Sequence, residues 1–205
     1  LERDEFDVPQ ILSESLQDLN QIAEFLNELR QFKPSHDDKL RALIHLLKTD
    51  PVLKKHKVMI FSEFMATARY LATELEKAGI KGIDQIDSGT KRSRSDVIRQ
   101  FAPYYNGMTS SDLQTKGQPE TRVLIATDVL SEGLNLQDAT RLINYDLHWN
   151  PVRLMQRIGR VNRIGSIADR IHIFNFFPTA QVDANIDLKK KAIVKLQAFH
   201  SALGE

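Results

Sequence analysis

The sequence predicts an α/β fold built on a parallel sheet covered on both faces. Two observations carry this. Val58-Met59-Ile60-Phe61 and Val123-Leu124-Ile125-Ala126 are continuous apolar runs, long enough for buried strands and too short for helices. Around them lie segments whose apolar residues recur at three- and four-residue steps, the period of amphipathic helices. Strands alternating with helices form βαβ units, and ligands of such sheets sit beyond the strand C-terminal ends. With 205 residues, 41% of them hydrophobic, the chain can bury one core with appendages, or at most two small ones.

Taken in order, Leu12, Leu16, Leu19, Ile22, Phe25, Leu26 and Leu29 predict a helix over 11–32, capped by Ser13 and stopped at Pro34. A second helix begins near Ser35 or Asp37, carries Leu40, Leu43, Ile44 and Leu47 on one face, and ends at Pro51. After the strand at Val58 come a helix over 64–78 closed by Gly79, a weak strand over 82–86 and a helix over 92–102. The polar stretch 103–120, with Asn106-Gly107 and Gly117-Gln118-Pro119, reads as a long loop. Beyond Val123–Ala126 follow a strand over 141–145, a helix over 151–162, a strand over 171–177 and a last helix over 183–203. The expected domains are an N-terminal helical extension, 1–36, an α/β lobe, 37–180, and a C-terminal helix, 181–205.

Composition narrows the chemistry. Lys plus Arg is 28 and Asp plus Glu is 27, a net charge of +1, so the chain is no uniformly basic nucleic-acid coat. It has no cysteine, hence no disulfide, thiolate metal site or Cys nucleophile. Its six histidines form no H-x-x-x-H pair, so no metal site is expected. No apolar run approaches the ~20 residues of a membrane span and no signal peptide is evident. The expectation is a cytoplasmic protein without membrane contact. The opening on Leu1 suggests an excised segment.

Two segments at strand ends hold the chemistry. Residues 153–170 carry five arginines against Asp169 alone, a local net charge of +4. Arg157, Arg160 and Arg163 fall at three-residue steps and on a helix would share one broad face. Arginine suits phosphate because its planar fork donates paired hydrogen bonds and stays charged. Gly159, costly inside a helix, hints at a close approach of backbone or ligand. Ala126 to Leu136 packs a hydroxyl, a carboxylate, a glycine and an amide after a buried strand. By itself it would read as a strand-to-helix turn.

Together these segments resemble motifs of the superfamily 2 helicases. Thr127-Asp128 through Gly133-Leu134-Asn135-Leu136 is similar to motif V, and Gln156-Arg157-x-Gly159-Arg160-x-x-Arg163 to motif VI. Trp149-Asn150-Pro151 just before motif VI, then Arg163-Ile164-Gly165, resembles the Swi/Snf class and its bacterial RapA-like relatives. Val58 to Phe64 is similar to motif IV, and Ser88-Gly89-Thr90 with Arg94, Ile98 and Phe101 to a further family segment. The resemblance spans residues 37–178; Glu132 and Asn135 depart from the DEAD-box pattern.

The resemblance implies a RecA-like lobe, the second of two, with ATP bound between them. Arg160 and Arg163 match arginine fingers that reach the γ-phosphate held by the first lobe. Gln156, Gly133 and Asn135 match positions near the nucleotide. Thr127, Ser62, Ser88 and Thr90 match positions that grip the nucleic-acid backbone, a sequence-independent mode. The implied cofactor is ATP with Mg²⁺, the metal held mainly by the absent lobe. The implied partners are an upstream RecA-like lobe and double-stranded DNA, with the protein a monomer and nucleoid-associated if bacterial. No G-x-x-x-x-G-K-[ST] and no Asp-Glu-x-His-like box occur, so this chain alone is expected not to hydrolyse ATP. The alternatives are a non-catalytic module that binds nucleic acid or a partner, and a strand-separating RNA or DNA helicase. Trp149 is expected as a packed anchor, His148 as a structural histidine and Lys189-Lys190-Lys191 as a solvated helix face.

Overall fold

A computed structural model of the protein describes residues 7–128, 135–148, 150–163, 166, 168–177, 190, 193, 194 and 197. The chain divides into two compact units, Leu1–Arg41 and Ala42–Glu205.

The first unit is dominated by α1, Val8–Gln31. Asp7, not the expected Ser13, caps it: its carboxylate accepts the Gln10 N–H at 3.1 Å, and Pro9 sits in the first turn, where no intrahelical N–H is lost. Phe32 and Lys33 turn extended before Pro34, as a proline requires of its predecessor, and Pro34 opens a short 3₁₀ turn. No residue of α1 is buried, and Leu16, Leu19 and Phe25 stay about 60% exposed.

Helix α2, Asp38–Thr49, starts at the Asp37 cap, whose carboxylate accepts the Leu40 N–H at 2.9 Å, and its Leu43 and Leu47 are buried. The second unit then runs β1 (Val58–Phe61), α3 (Met65–Lys77), β2 (Ile83–Ile86), α4 (Arg94–Phe101), α5 (Ser110–Thr115), β3 (Val123–Ala126), β4 (Arg141–Asn144), α6 (Pro151–Val161) and β5 (His172–Asn175). The stretch expected as a loop over 103–120 contains a 3₁₀ turn, Tyr104–Asn106, and α5. Thr109 and Asp112 cap α5 reciprocally, and its Leu113 is fully buried. The expected strand over 171–177 is shorter, 172–175. The expected helix over 183–203 falls almost wholly outside the described residues, as do Gly133, Glu132 and Trp149.

The five strands are parallel in the order β2-β3-β1-β4-β5. At the centre Ile60 pairs with Ile125 on one side and Ile143 on the other. The chain steps one way from β1 to β2, then back through β3 to β4 and β5. Right-handed crossovers therefore send α3 to one face and α4 and α6 to the other. Packing agrees: Met59, Phe61, Leu124 and Leu142 join Ile98, Phe101 and Val161 in one core cluster. Val58, Ile60, Val123 and Ile125 alternate to the opposite face and are equally buried. This reversal of direction opens a crevice beyond the C-terminal ends of the central strands.

Candidate nucleotide and nucleic-acid site at the strand ends

Three carboxylates gather where strands end: Asp87 after β2, Asp128 after β3 and Asp146 after β4. Each is held by donors of its own chain. Arg157, only 2% exposed, reaches out of α6 with every face of its fork engaged. Its Nε and Nη2 donate to Asp128 at 2.7 and 3.0 Å, and Nη1 donates to the Asp146 carbonyl at 2.9 Å and to Asn144 Oδ1 at 3.3 Å. The guanidinium also lies 5.3 Å from the Phe61 ring centroid. Arg153 adds a longer contact to Asp128, 3.4 Å. Burial pushes the Asp128 carboxyl up, but the bonds from Arg157 and Arg153 outweigh it and leave its pKa below the ordinary value.

This corrects the shared arginine face. Arg157 is buried and Arg160 half-buried on α6, while Arg163 lies past the helix end and is exposed. The helix stops at Val161 because Asn162 adopts φ −95° and ψ 100°, which swings Arg163 off the helical path. Gly159 has open space around it: a Cβ there would meet nothing within 4 Å, so no close approach within the chain explains it. Asn150 caps α6 through the Val152 N–H at 3.0 Å, with Pro151 in the first turn.

Arg163 and Asn135 come together. Arg163 Nη1 donates to Asn135 Oδ1 at 2.7 Å. Asn135 is itself fixed, its amide donating to the Tyr105 carbonyl at 3.2 Å and its carbonyl accepting from Asn106 at 2.8 Å. With Gln137 and Asn162 they line an open depression of about 500 Å³. A guanidinium among neutral amides is a donor set that fits phosphate and ribose oxygens. Gln156 is exposed on α6 and does not line this depression.

The hydroxyls expected to grip phosphates behave differently from one another. Ser62 is fully buried and donates to Asp146 Oδ2 at 2.6 Å, so it braces β1 against β4. Thr90 is committed to Asp87, its hydroxyl accepting the Asp87 N–H at 2.8 Å. Ser88 points its hydroxyl at the Met65 sulfur, 3.8 Å away. Asp87, fully buried, also takes Arg69 Nε at 2.9 Å, Gln85 at 2.6 Å and the Gly89 N–H at 2.6 Å. Burial raises its pKa, and these donors, Arg69 first, bring it net below the ordinary value. Thr127 is 5% exposed and its Oγ1 is the one buried side-chain polar atom among the described residues without a hydrogen-bond partner. Such an orphan is costly unless a ligand satisfies it. His148 is a structural histidine: 6% exposed, with Nδ1 accepting the Asn150 N–H at 2.9 Å.

Asp128 and Asp146 were given no role from sequence, and Arg157 was read only as one of three arginines on a shared face. No sequence period links Arg157 to Asp128, 29 positions away.

A parallel sheet in this order, with an arginine-bearing helix at its strand ends, defines a RecA-like lobe. Residues 38–165 match the helicase conserved C-terminal domain, and the chain belongs to that family. It is 37% identical over 149 residues to an uncharacterized ATP-dependent helicase of Bacillus subtilis, covering 73% of this chain and 23% of that protein. It is 31% identical over 141 residues to a probable ATP-dependent RNA helicase of Methanocaldococcus jannaschii, covering 69% and 33% respectively. The chain thus spans a quarter to a third of the length of these relatives. Among solved structures, the C-terminal part of the Fun30 ATPase domain superposes with a TM-score of 0.59 at 24% identity, covering 85% of this chain and 53% of that one. Dbp5 of S. cerevisiae, bound to RNA and ADP BeF3, gives 0.52 at 22%, covering 76% and 36%. Both likenesses are of fold. Among the described residues, no helix is long and apolar enough to cross a membrane.

Proposed function

We propose that the chain is the second motor lobe of an ATP-dependent double-stranded DNA translocase of the Swi/Snf, RapA-like branch. The observation that carries the reading is Arg163, exposed yet positioned by Asn135 over an open donor-lined depression. ATP with Mg²⁺, held by an upstream lobe of the same polypeptide, supplies the phosphoryl group transferred to water. Arg163 and Arg160 supply positive charge to the transferring oxygens; Asn135, Gly133 and Gln156 bound the nucleotide. Thr127 offers its orphan hydroxyl to a nucleic-acid phosphate. Ser88 lies at the same edge, whereas Ser62 and Thr90, engaged with Asp146 and Asp87, shape the grip from behind. In this reading residues 1–36 are a helical extension, 37–180 the lobe and 181–205 a helix packed on this lobe or the missing one. The protein acts as a monomer in the cytoplasm, on the nucleoid if bacterial, and this segment alone is inactive.

The matched RNA helicases support a second reading, in which the polymer is RNA and strands are separated. The test is ATP turnover of the protein with its upstream lobe, using duplex DNA, single-stranded DNA, RNA or nothing. Stimulation by duplex DNA that falls about 10³-fold or more in Arg163→Ala is expected of a finger. Stimulation by RNA alone favours the second reading. No turnover with any polymer leaves a non-catalytic binding module.

A further inference from the structure

At the opposite end of the sheet, beside the strand N-terminal ends, lies a second and larger cavity of about 640 Å³. Lys57 precedes β1 and Thr140 precedes β4, and both line it. Neither Arg160 nor Thr127 borders it, and Gln137 lines both this cavity and the depression beside Arg163.

Two features distinguish this cavity. The first is an aromatic platform. Tyr104 is 63% exposed, large for an apolar ring on a folded surface, and Tyr105 braces it edge-to-face at 5.1 Å. Asp138 locks both residues by accepting their backbone N–H groups at 2.9 and 3.1 Å. The second feature is a lysine left over after the other charged groups of the lining are paired or hydrogen-bonded. Lys55, His56 and Lys57 line the cavity. Lys57 is consumed by Glu120, 2.6 Å away, and by the Phe101 carbonyl. Lys55 makes no side-chain hydrogen bond or ion pair among the described residues and faces the cavity. Burial, Arg141 and His172 together hold the His56 pKa low, which keeps that imidazole neutral beside the lysine.

A rigid exposed ring next to an unpaired ammonium matches the chemistry of an unpaired nucleotide: a π-face for the base and a cation for the phosphate. We propose that this cavity receives an unpaired nucleotide of a single nucleic-acid strand, its base stacked on Tyr104 and its phosphate on Lys55. The cavity shares Gln137 with the Arg163 depression, and Asn135 is bonded to Tyr105, so a strand held here would lie beside that depression.

The test uses the 205-residue chain and labelled oligothymidylate or oligouridylate of about 12 nucleotides, read by fluorescence anisotropy. Tyr104→Ala is expected to weaken binding about tenfold, and Tyr104→Phe to retain it, because stacking needs the ring and not the hydroxyl. Lys55→Ala is expected to weaken binding and lower the slope of log affinity against log salt by about 0.7, the value for one phosphate contact on a single strand. An iodouracil-bearing strand should photocross-link to the peptide holding Tyr104. The deoxy and ribo strands distinguish DNA from RNA as the source. Unchanged affinity in both variants, cross-links confined to the strand C-terminal ends, or no binding of either strand would each overturn the proposal. Tyr104 and Lys55 are both exposed, so neither substitution threatens the fold, and thermal melts check this.

Discussion

Replacing Arg157 by Met removes the guanidinium while keeping most of its length and apolar contact with Phe61. The structure sets the size of the loss. Arg157 is 2% exposed and makes four hydrogen bonds, two of them in a bidentate pair with Asp128. Without it, Asp128, whose side chain is 23% exposed, keeps only Arg153 at 3.4 Å, and that arginine is itself 52% exposed. Removing one partner of a buried pair costs about 3–5 kcal/mol, and the residual solvent at Asp128 puts this case near the lower end, about 3 kcal/mol at pH 7. The pH dependence follows from Asp128. In the native protein its pKa is depressed, so its contribution is present above the ordinary aspartate range and is lost as pH falls through the depressed value. In Arg157→Met only the longer Arg153 contact opposes burial, so the Asp128 pKa rises from its native value and protonation relieves the stranded charge. The gap between the two proteins should therefore narrow as pH falls into and below the ordinary aspartate range, about 4. Urea denaturation at several pH values measures it. A second substitution, Asp128→Asn on the Met background, should recover at least about 1 kcal/mol. A loss below about 1 kcal/mol at pH 7, or a gap that widens with acid, would refute the assignment of Arg157 as the pin between α6 and β3.

Thr127→Val removes a buried hydroxyl that has no partner, so stability should be unchanged or rise by up to about 1 kcal/mol in thermal or urea melts. Under the proposed reading the same change lowers polymer-stimulated ATP turnover of the two-lobe protein; a stable variant with full stimulation would remove Thr127 from the grip. Gly82→Ala should cost about 1–2 kcal/mol, because Gly82 has φ +68° and a Cβ would sit 3.2 Å from the Arg122 nitrogen. A melting temperature equal to the native one would show that this turn relaxes freely.

Strands were the most legible elements. Val58–Phe61 and Val123–Ala126 are apolar throughout because both faces of a parallel sheet are covered, and β1 and β3 fall on the same residues. Helix α6 was legible from Asn150-Pro151, a cap and a first-turn proline. Helix α5 was missed although Thr109-x-x-Asp112 is a capping-box signature, because only Leu113 is apolar enough to bury and one residue makes no period. Ser13 was expected as the cap because it stands beside the apolar repeat, whereas an N-cap is set by which oxygen reaches a free backbone N–H, here that of Asp7.

The amino-acid sequence by itself determined the alternation of strands and helices, the concentration of arginine after Pro151 and the likeness to helicase motifs, since all three are local in the chain. Only the tertiary structure decided which arginine is buried in a pairing and which stays exposed. Arg157, Arg160 and Arg163 are equivalent in spacing. Their difference arises because β3 ends beside α6 and brings Asp128 against Arg157, while Asn162 leaves the helix and carries Arg163 to Asn135. A guanidinium binds whichever carboxylate or amide the fold brings within 3 Å, and that partner is set by strand order, not by distance along the chain.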